Sequence, residues 1–172
     1  VTSVTEHADR HAPSVRVRRY RASDATACCA VVTAAVSGMA DVNEAARALI
    51  TAHATPAALG SELASFYTIV ALDGDRIVGL AALDADEIKR VYVHPAAQGR
   101  GVGRAMMARL ERDARRRGLS AVRVVAGAAA ATFYEHLRYA RVSDGEHVAG
   151  TARVPFSTMR KALGAGPDGV RR

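Results

Sequence analysis

Apolar residues follow two rhythms along this chain. Val15-Arg16-Val17-Arg18-Arg19-Tyr20 alternates with period two and predicts a short strand. Ala25, Cys28, Cys29, Val32 and Val36 fall on one helical stripe, opened by Ser23 as a cap and ended near Gly38. Asp41 with Glu44 predicts the start of a second helix, with Val42, Ala45, Ala46, Leu49 and Ile50 on its inner face. Thr55-Pro56 starts a third, carrying Leu59, Leu63 and Phe66. Three strands then follow closely, Tyr67 to Leu72, Arg76 to Leu83 and Glu87 to Val93, turning at Asp73-Gly74-Asp75 and Asp84-Ala85-Asp86. A helix from Val102 to Arg117 carries Val102, Met106, Leu110 and Ala114 inward, and the strand Ala121 to Ala126 returns parallel to its predecessor. A short helix, Ala129 to Leu137, precedes two weaker strands at about Ala140 to Val142 and Val154 to Lys161.

This succession predicts one α/β domain over residues 15–163, between tails at 1–14 and 164–172. A chain of 172 residues is long enough for a proper core, and 49% hydrophobic residues exclude a disordered chain. The longest weakly apolar stretch, Ala25 to Ala40, is too short and too interrupted to span a bilayer. Val1 to Pro13 is polar with both charge signs, unlike a signal peptide, so a cytoplasmic protein is expected. Adjacent Cys28 and Cys29 suit neither a disulfide nor a metal site, and read as small core residues. The net charge is +7 and almost entirely arginine. No RNA-recognition signature accompanies it, and Arg115-Arg116-Arg117 complements a helix C-terminus, so nucleic acid is not the expected partner.

The segment with the clearest chemistry is Val91-Tyr92-Val93-His94-Pro95-Ala96-Ala97-Gln98-Gly99-Arg100-Gly101-Val102-Gly103-Arg104. A strand meets a proline, and a glycine-rich turn opens a helix whose first amides are free and whose dipole favours an anion. Glycines at 99, 101 and 103 lack the G-x-G-x-x-G spacing, and no Gly-Lys-Ser/Thr follows, so neither the dinucleotide fold nor a P-loop is indicated.

Gln98-Gly99-Arg100-Gly101-Val102-Gly103 instead resembles the acyl-CoA loop of the GNAT superfamily of N-acetyltransferases, Gln/Arg-x-x-Gly-x-Gly/Ala. The order of elements is similar to that family from about Val15 to Leu163. Ala130-Ala131-Thr132-Phe133-Tyr134-Glu135-His136-Leu137 resembles its Ala-x-x-Phe-Tyr-x-x-Leu helix, and Pro155 to Leu163 its closing strand. Two positions depart from it: Ala129 stands where many relatives carry asparagine, and Tyr139-Ala140 where many carry Gly-Phe.

The resemblance implies a mixed sheet of six to seven strands with a splayed pair and helices on both faces. It implies acetyl-CoA as co-substrate, with no metal, and an amine acceptor that receives the acetyl group by direct attack in a ternary complex. Val91, Tyr92 and Val93 would offer backbone groups to the pantetheine arm. Gln98 to Arg104 (Gln98, Gly99, Arg100, Gly101, Val102, Gly103, Arg104) would hold the phosphates, and Phe133 and Tyr134 would lie beside the coenzyme. Glu87, eleven residues before Gln98, is the candidate base for the acceptor, against the plainer reading of a carboxylate closing a hairpin beside Asp84 and Asp86. Tyr134 is the candidate partner of the leaving thiolate, against an ordinary core tyrosine. His94 reads as structural.

The acceptor itself is open. Asp41, Glu44, Glu62, Tyr67, Asp84, Asp86, Tyr139 and His147 lie on segments that would border it, and they suit a small amine, an amino acid, an antibiotic amine or a peptide terminus. The alternatives are a protein acetyltransferase acting on an N-terminus or lysine, and a non-catalytic acyl-CoA- or nucleic-acid-binding module. The protein is expected as a monomer or homodimer.

Overall fold

The computed structural model describes residues 15–40 and 42–164. Residues 1–14 and 165–172 of the expected tails, and Asp41, lie outside the described residues. A seven-stranded sheet runs in the order β1-β2-β3-β4-β5-β7-β6. The strands are β1 (Arg16–Arg19), β2 (Tyr67–Asp73), β3 (Arg76–Asp84), β4 (Glu87–Val93), β5 (Ala121–Gly127), β6 (Ala140–Ala149) and β7 (Ala152–Ala162). Helices α1 (Ala25–Ser37), α2 (Glu44–Ala52) and α3 (Pro56–Ser65) precede β2, α4 (Val102–Arg116) joins β4 to β5, and α5 (Ala131–His136) follows β5. None of the described helices is long and apolar enough to cross a membrane.

The core has two layers, one on each face of the sheet. Met106, Met107 and Leu110 of α4 pack on Ile69, Leu83, Ile88, Val124 and Met159. Cys28, Val32 and Val36 of α1 and Leu59 and Leu63 of α3 pack on Val70, Leu72 and Leu80. Adjacent strand residues thus serve opposite layers, as the period of two requires. Each fully buried leucine or isoleucine contributes about 1.5–3 kcal/mol. Both cysteines are free and buried, and burial pushes the Cys28 thiol up to about 12.

Local signals and structure differ at four points. Ser23 does not cap α1. Residues Ala22–Asp24 form one tight turn, and the buried Asp24 carboxylate accepts from the Arg21 amide at 2.8 Å and from Arg18 at 2.7 and 2.9 Å. Asn43 caps α2: its Oδ1 accepts from the Ala46 amide at 2.9 Å, and its Nδ2 donates to the Thr151 carbonyl at 2.8 Å. Leu49, expected inside, is 46% exposed. The last two strands are far longer than the expected stretches and form a continuous hairpin. β6 is a polar edge strand with almost every residue exposed, so no apolar alternation announced it. Its Gly145 sits opposite Phe156, whose ring lies across the glycine where a Cβ would come within 2.5 Å.

Two features of β4 set up the site. Its parallel pairing with β5 lasts only through Glu87↔Arg123 and Ile88↔Val124, after which the strands diverge. Against β3, Tyr92 faces Leu80 and Lys89 faces Ala82, so Arg90 and Val91 together oppose Ala81. This bulge places Arg90 in the left-handed region, at φ 57°.

Candidate active site

Where β4 and β5 part, a cleft of ≈ 250 Å³ opens between Lys89–Tyr92 and Val124–Gly127. Met39, Val42, Ile50, Val154 and Tyr134 of α5 also line it. Past Ile88 the facing backbone edges of the two strands are not laddered to each other. Such an edge can pair with an extended ligand as if with another strand.

The glycine turn follows from β4. His94 holds it, its Nδ1 accepting from the Ala96 amide at 3.2 Å, and Gln98 ties it back by donating to the Val93 carbonyl at 3.2 Å. Gly99 and Gly101 have φ of 72° and 82°, where a side chain is strained, and a Cβ at either would meet no atom within 4 Å. Gly101 is the N-cap of α4 and brings no capping side chain, so the first amides of the helix face open space. Gly103 is needed for a different reason: a Cβ there would stand 3.0 Å from the Phe133 ring. Phe133 therefore supports the loop from beneath and meets Tyr134 edge-on, with centroids 5.0 Å apart. Arg100 is drawn aside to Asp73 at 2.9 Å, while Arg104 is exposed on the first turn of α4.

Tyr134 is 4% exposed yet lines the cleft, and its ring also packs edge-on against Tyr139. Burial, with the nearby Tyr92 adding, pushes its hydroxyl well above the ordinary phenol range. The group keeps its proton at neutral pH and so retains an O–H able to donate. Glu87 sits at the closed end of the β4–β5 pair. Its carboxylate meets Arg123 at 2.6 Å and Lys89 at 3.9 Å, and it is not among the residues that wall the cleft. The neighbouring hairpin carboxylates are likewise paired with cations, since Asp84 binds Lys89 at 2.9 Å and Asp86 meets Arg123 at 3.4 Å.

Residues 37–163 match the family described as the acetyltransferase (GNAT) domain. The chain belongs to the GNAT acetyltransferases. A solved structure described as "GCN5-related N-acetyltransferase: aminotransferase, class-II", from Rhodopseudomonas palustris, is similar at 27% identity and TM-score 0.81, covering 87% of this chain and 96% of that one. The fold is also shared with yncA from Salmonella typhimurium, solved with its cofactor acetyl-CoA, at 22% identity and TM-score 0.62, over 90% of this chain and 98% of that one. A curated relative, an IAA acetyltransferase of Azospirillum brasilense, is 37% identical over 70 residues, covering 37% of this chain. That match spans 46%, less than half, of the relative's own length.

In this acetyltransferase several residues that bordered the expected acceptor region serve the fold instead. The Tyr67 hydroxyl donates to Asp113 of α4 at 2.7 Å, and its ring lies between the guanidinium groups of Arg19 and Arg117, each at 3.8 Å. Tyr139 is buried and donates to Glu111 at 3.1 Å, and Glu111 also holds Lys161 at 2.7 Å. His147 stacks on Phe156 at the outer hairpin. Glu44 is exposed at the start of α2. Glu62 binds Arg90 through three contacts of 2.7–2.9 Å. Sequence reasoning missed Lys89 and Arg90 as cleft residues. A one-residue bulge reverses the strand's alternation at Arg90, and no residue type announces it.

Proposed function

We propose that this GNAT acetyltransferase moves an acetyl group from acetyl-CoA to a primary amine of a small molecule or peptide, by direct attack within a ternary complex. The observation that carries the reading is a turn held open for a phosphate, continuing from a strand that parts from its neighbour. Gly99 and Gly101 leave a cradle that a Cβ would fill, and the amides of Val102, Gly103 and Arg104 face it without helical partners. Those residues fit the pyrophosphate of the coenzyme, with Arg104 adding charge. Arg100 joins only by leaving Asp73. Backbone groups of Val91, Tyr92 and Val93 fit the pantetheine arm, and Phe133 carries the loop and Tyr134. Acetyl-CoA supplies an activated acyl carbon and a thiolate leaving group.

The chain's own residues then do three things. Strand amides between Val91 and Val93 stand by the thioester oxygen as charge develops there. Glu87, set back from the cleft, takes the acceptor's proton through water as the C–N bond forms. Tyr134 donates a hydrogen bond to the sulfur as the C–S bond breaks; its raised pKa makes full proton transfer unfavourable, and the thiolate takes its proton from solvent.

Calorimetric titration with acetyl-CoA, followed by a thiol-release screen over an amine panel, tests this reading. Saturable binding and amine-dependent thiol release are expected. Binding without release over small amines and peptides alike would leave an acyl-CoA-binding module, and no binding at all would refute the proposal.

A further inference from the structure

The walls of the cleft have a chemical character that the proposed reaction leaves unused. Beyond the strand edges, Met39, Val42, Ile50 and Val154 give its lining an apolar part. The charged residues that line it are Lys89 and Arg90. Arg90 is not a flexible surface arginine. The bulge holds its backbone at φ 57°, a conformation that costs a non-glycine residue of order 1–3 kcal/mol and that tends to be kept where function requires it. Glu62 of α3 then grips its Nε and Nη2 atoms at 2.7–2.9 Å, which fixes the plane of the guanidinium. An arginine has five N–H donors in a rigid fork; with Glu62 on Nε and Nη2 and the Tyr92 hydroxyl as a further hydrogen-bond neighbour, at least one donor is left to serve a second anion. Lys89 is anchored in the same way, by Asp84 at 2.9 Å and above the Phe66 ring at 5.0 Å. Each cation is held by a carboxylate from outside the cleft that the residue lines.

Building on the proposed acetyl transfer, we propose that the acceptor is an amino-carboxylate with an apolar side chain. Its carboxylate is bound by Arg90, with Lys89 adding charge, and its side chain lies against Met39, Val42, Ile50 and Val154. The class of a free apolar α-amino acid fits this best: ammonium and carboxylate share one carbon, so anchoring the anion at the bulge brings the nitrogen to the point where β4 and β5 part. In the reaction one ammonium proton leaves toward Glu87, the freed nitrogen forms a C–N bond to the acetyl carbon, the second nitrogen proton passes to solvent as the C–S bond breaks, and coenzyme A departs as a thiolate that takes a proton from solvent.

The test compares leucine and phenylalanine with their amides, with phenethylamine, and with the dicationic amine putrescine, using thiol release on the full chain. The amino acids should be acetylated with kcat/KM about 10-fold or more above their amides, the scale of one charge-assisted bond. Arg90→Gln should remove that preference by raising KM for the amino acids about 10- to 100-fold, while leaving KM for the amides and the Kd for acetyl-CoA within about twofold. Because Arg90→Gln leaves Glu62 without its partner, Arg90→Lys serves as the second variant, and it should keep part of the preference. Equal rates with amides and acids, a preference for putrescine, or no turnover of any amino acid would overturn the acceptor assignment. Acetyl-CoA binding with turnover of some other amine would leave the acetyl-transfer proposal standing. Failure to bind acetyl-CoA would sink both.

Discussion

The cradle at Gly101 permits a test in which two costs are read by two instruments. Gly101→Val places a branched side chain at a position with φ 82° and ψ 2°. A Cβ there meets no atom within 4 Å, so the protein itself does not clash with the new side chain. The cost to folding is therefore conformational, about 1–2 kcal/mol for an L-residue in the left-handed region, or a fall in Tm of about 2–8 °C for a domain of this size. That strain is present with and without ligand and does not by itself change affinity. The cost to binding comes from the same empty space, which the valine methyls would fill. Loss of a single amide bond to a charged phosphate is worth about 1.5–3 kcal/mol, which raises Kd about 10- to 150-fold. Differential scanning calorimetry reads the first cost. Isothermal titration with acetyl-CoA, and separately with dephospho-CoA, reads the second, and both ligands should weaken because both carry the pyrophosphate. A variant that melts lower yet binds both as tightly as the unaltered protein would refute the reasoning and reduce the turn to a helix start.

Three further outcomes are expected. Tyr134→Phe keeps both edge-on ring contacts, so it should fold normally while turnover falls about 10- to 1000-fold; lost stability with an unchanged rate would make Tyr134 a core residue only. Glu87→Gln should lower kcat at neutral pH about 100-fold without weakening acetyl-CoA, and the deficit should shrink at high pH where free amine is available; unaltered rates with the preferred acceptor would move the proton to another group. Hydrogen bonds from Arg18 outweigh burial at Asp24 and hold its carboxyl below the ordinary 3.8. A depressed folded-state pKa gives stability that is present above the unfolded value and lost as pH falls toward the folded one. Asp24→Asn should thus cost about 2 kcal/mol at neutral pH and flatten the urea stability profile below about pH 4; an unchanged acid limb would show that Asp24 does not contribute to it.

Much of the fold was legible because its signals are local. The stripe Cys28, Val32, Val36, the Thr55-Pro56 start and the turn glycines each act through residues a few positions away, and the structure places α1, α3, β2, β3, β4 and α4 close to the expected boundaries. The glycine turn was likewise readable, since positive φ and helix-end amides are properties of the chain itself. Tertiary structure decided what depends on partners distant in sequence. β6 is a strand because β7 pairs with it along its length, not because its own residues alternate. Tyr67 and Tyr139 left the acceptor region because buried carboxylates on α4 accept their hydroxyls. Glu87 and the neighbouring hairpin carboxylates are compensated by cations, among them Arg123, 36 positions later, which meets Glu87 across the first of the two paired rungs at the closed end of β4 and β5. Arg90 became a cleft residue through a bulge that inserts one position against β3 and reverses which way the side chain faces, a shift that leaves no mark on the composition of the strand.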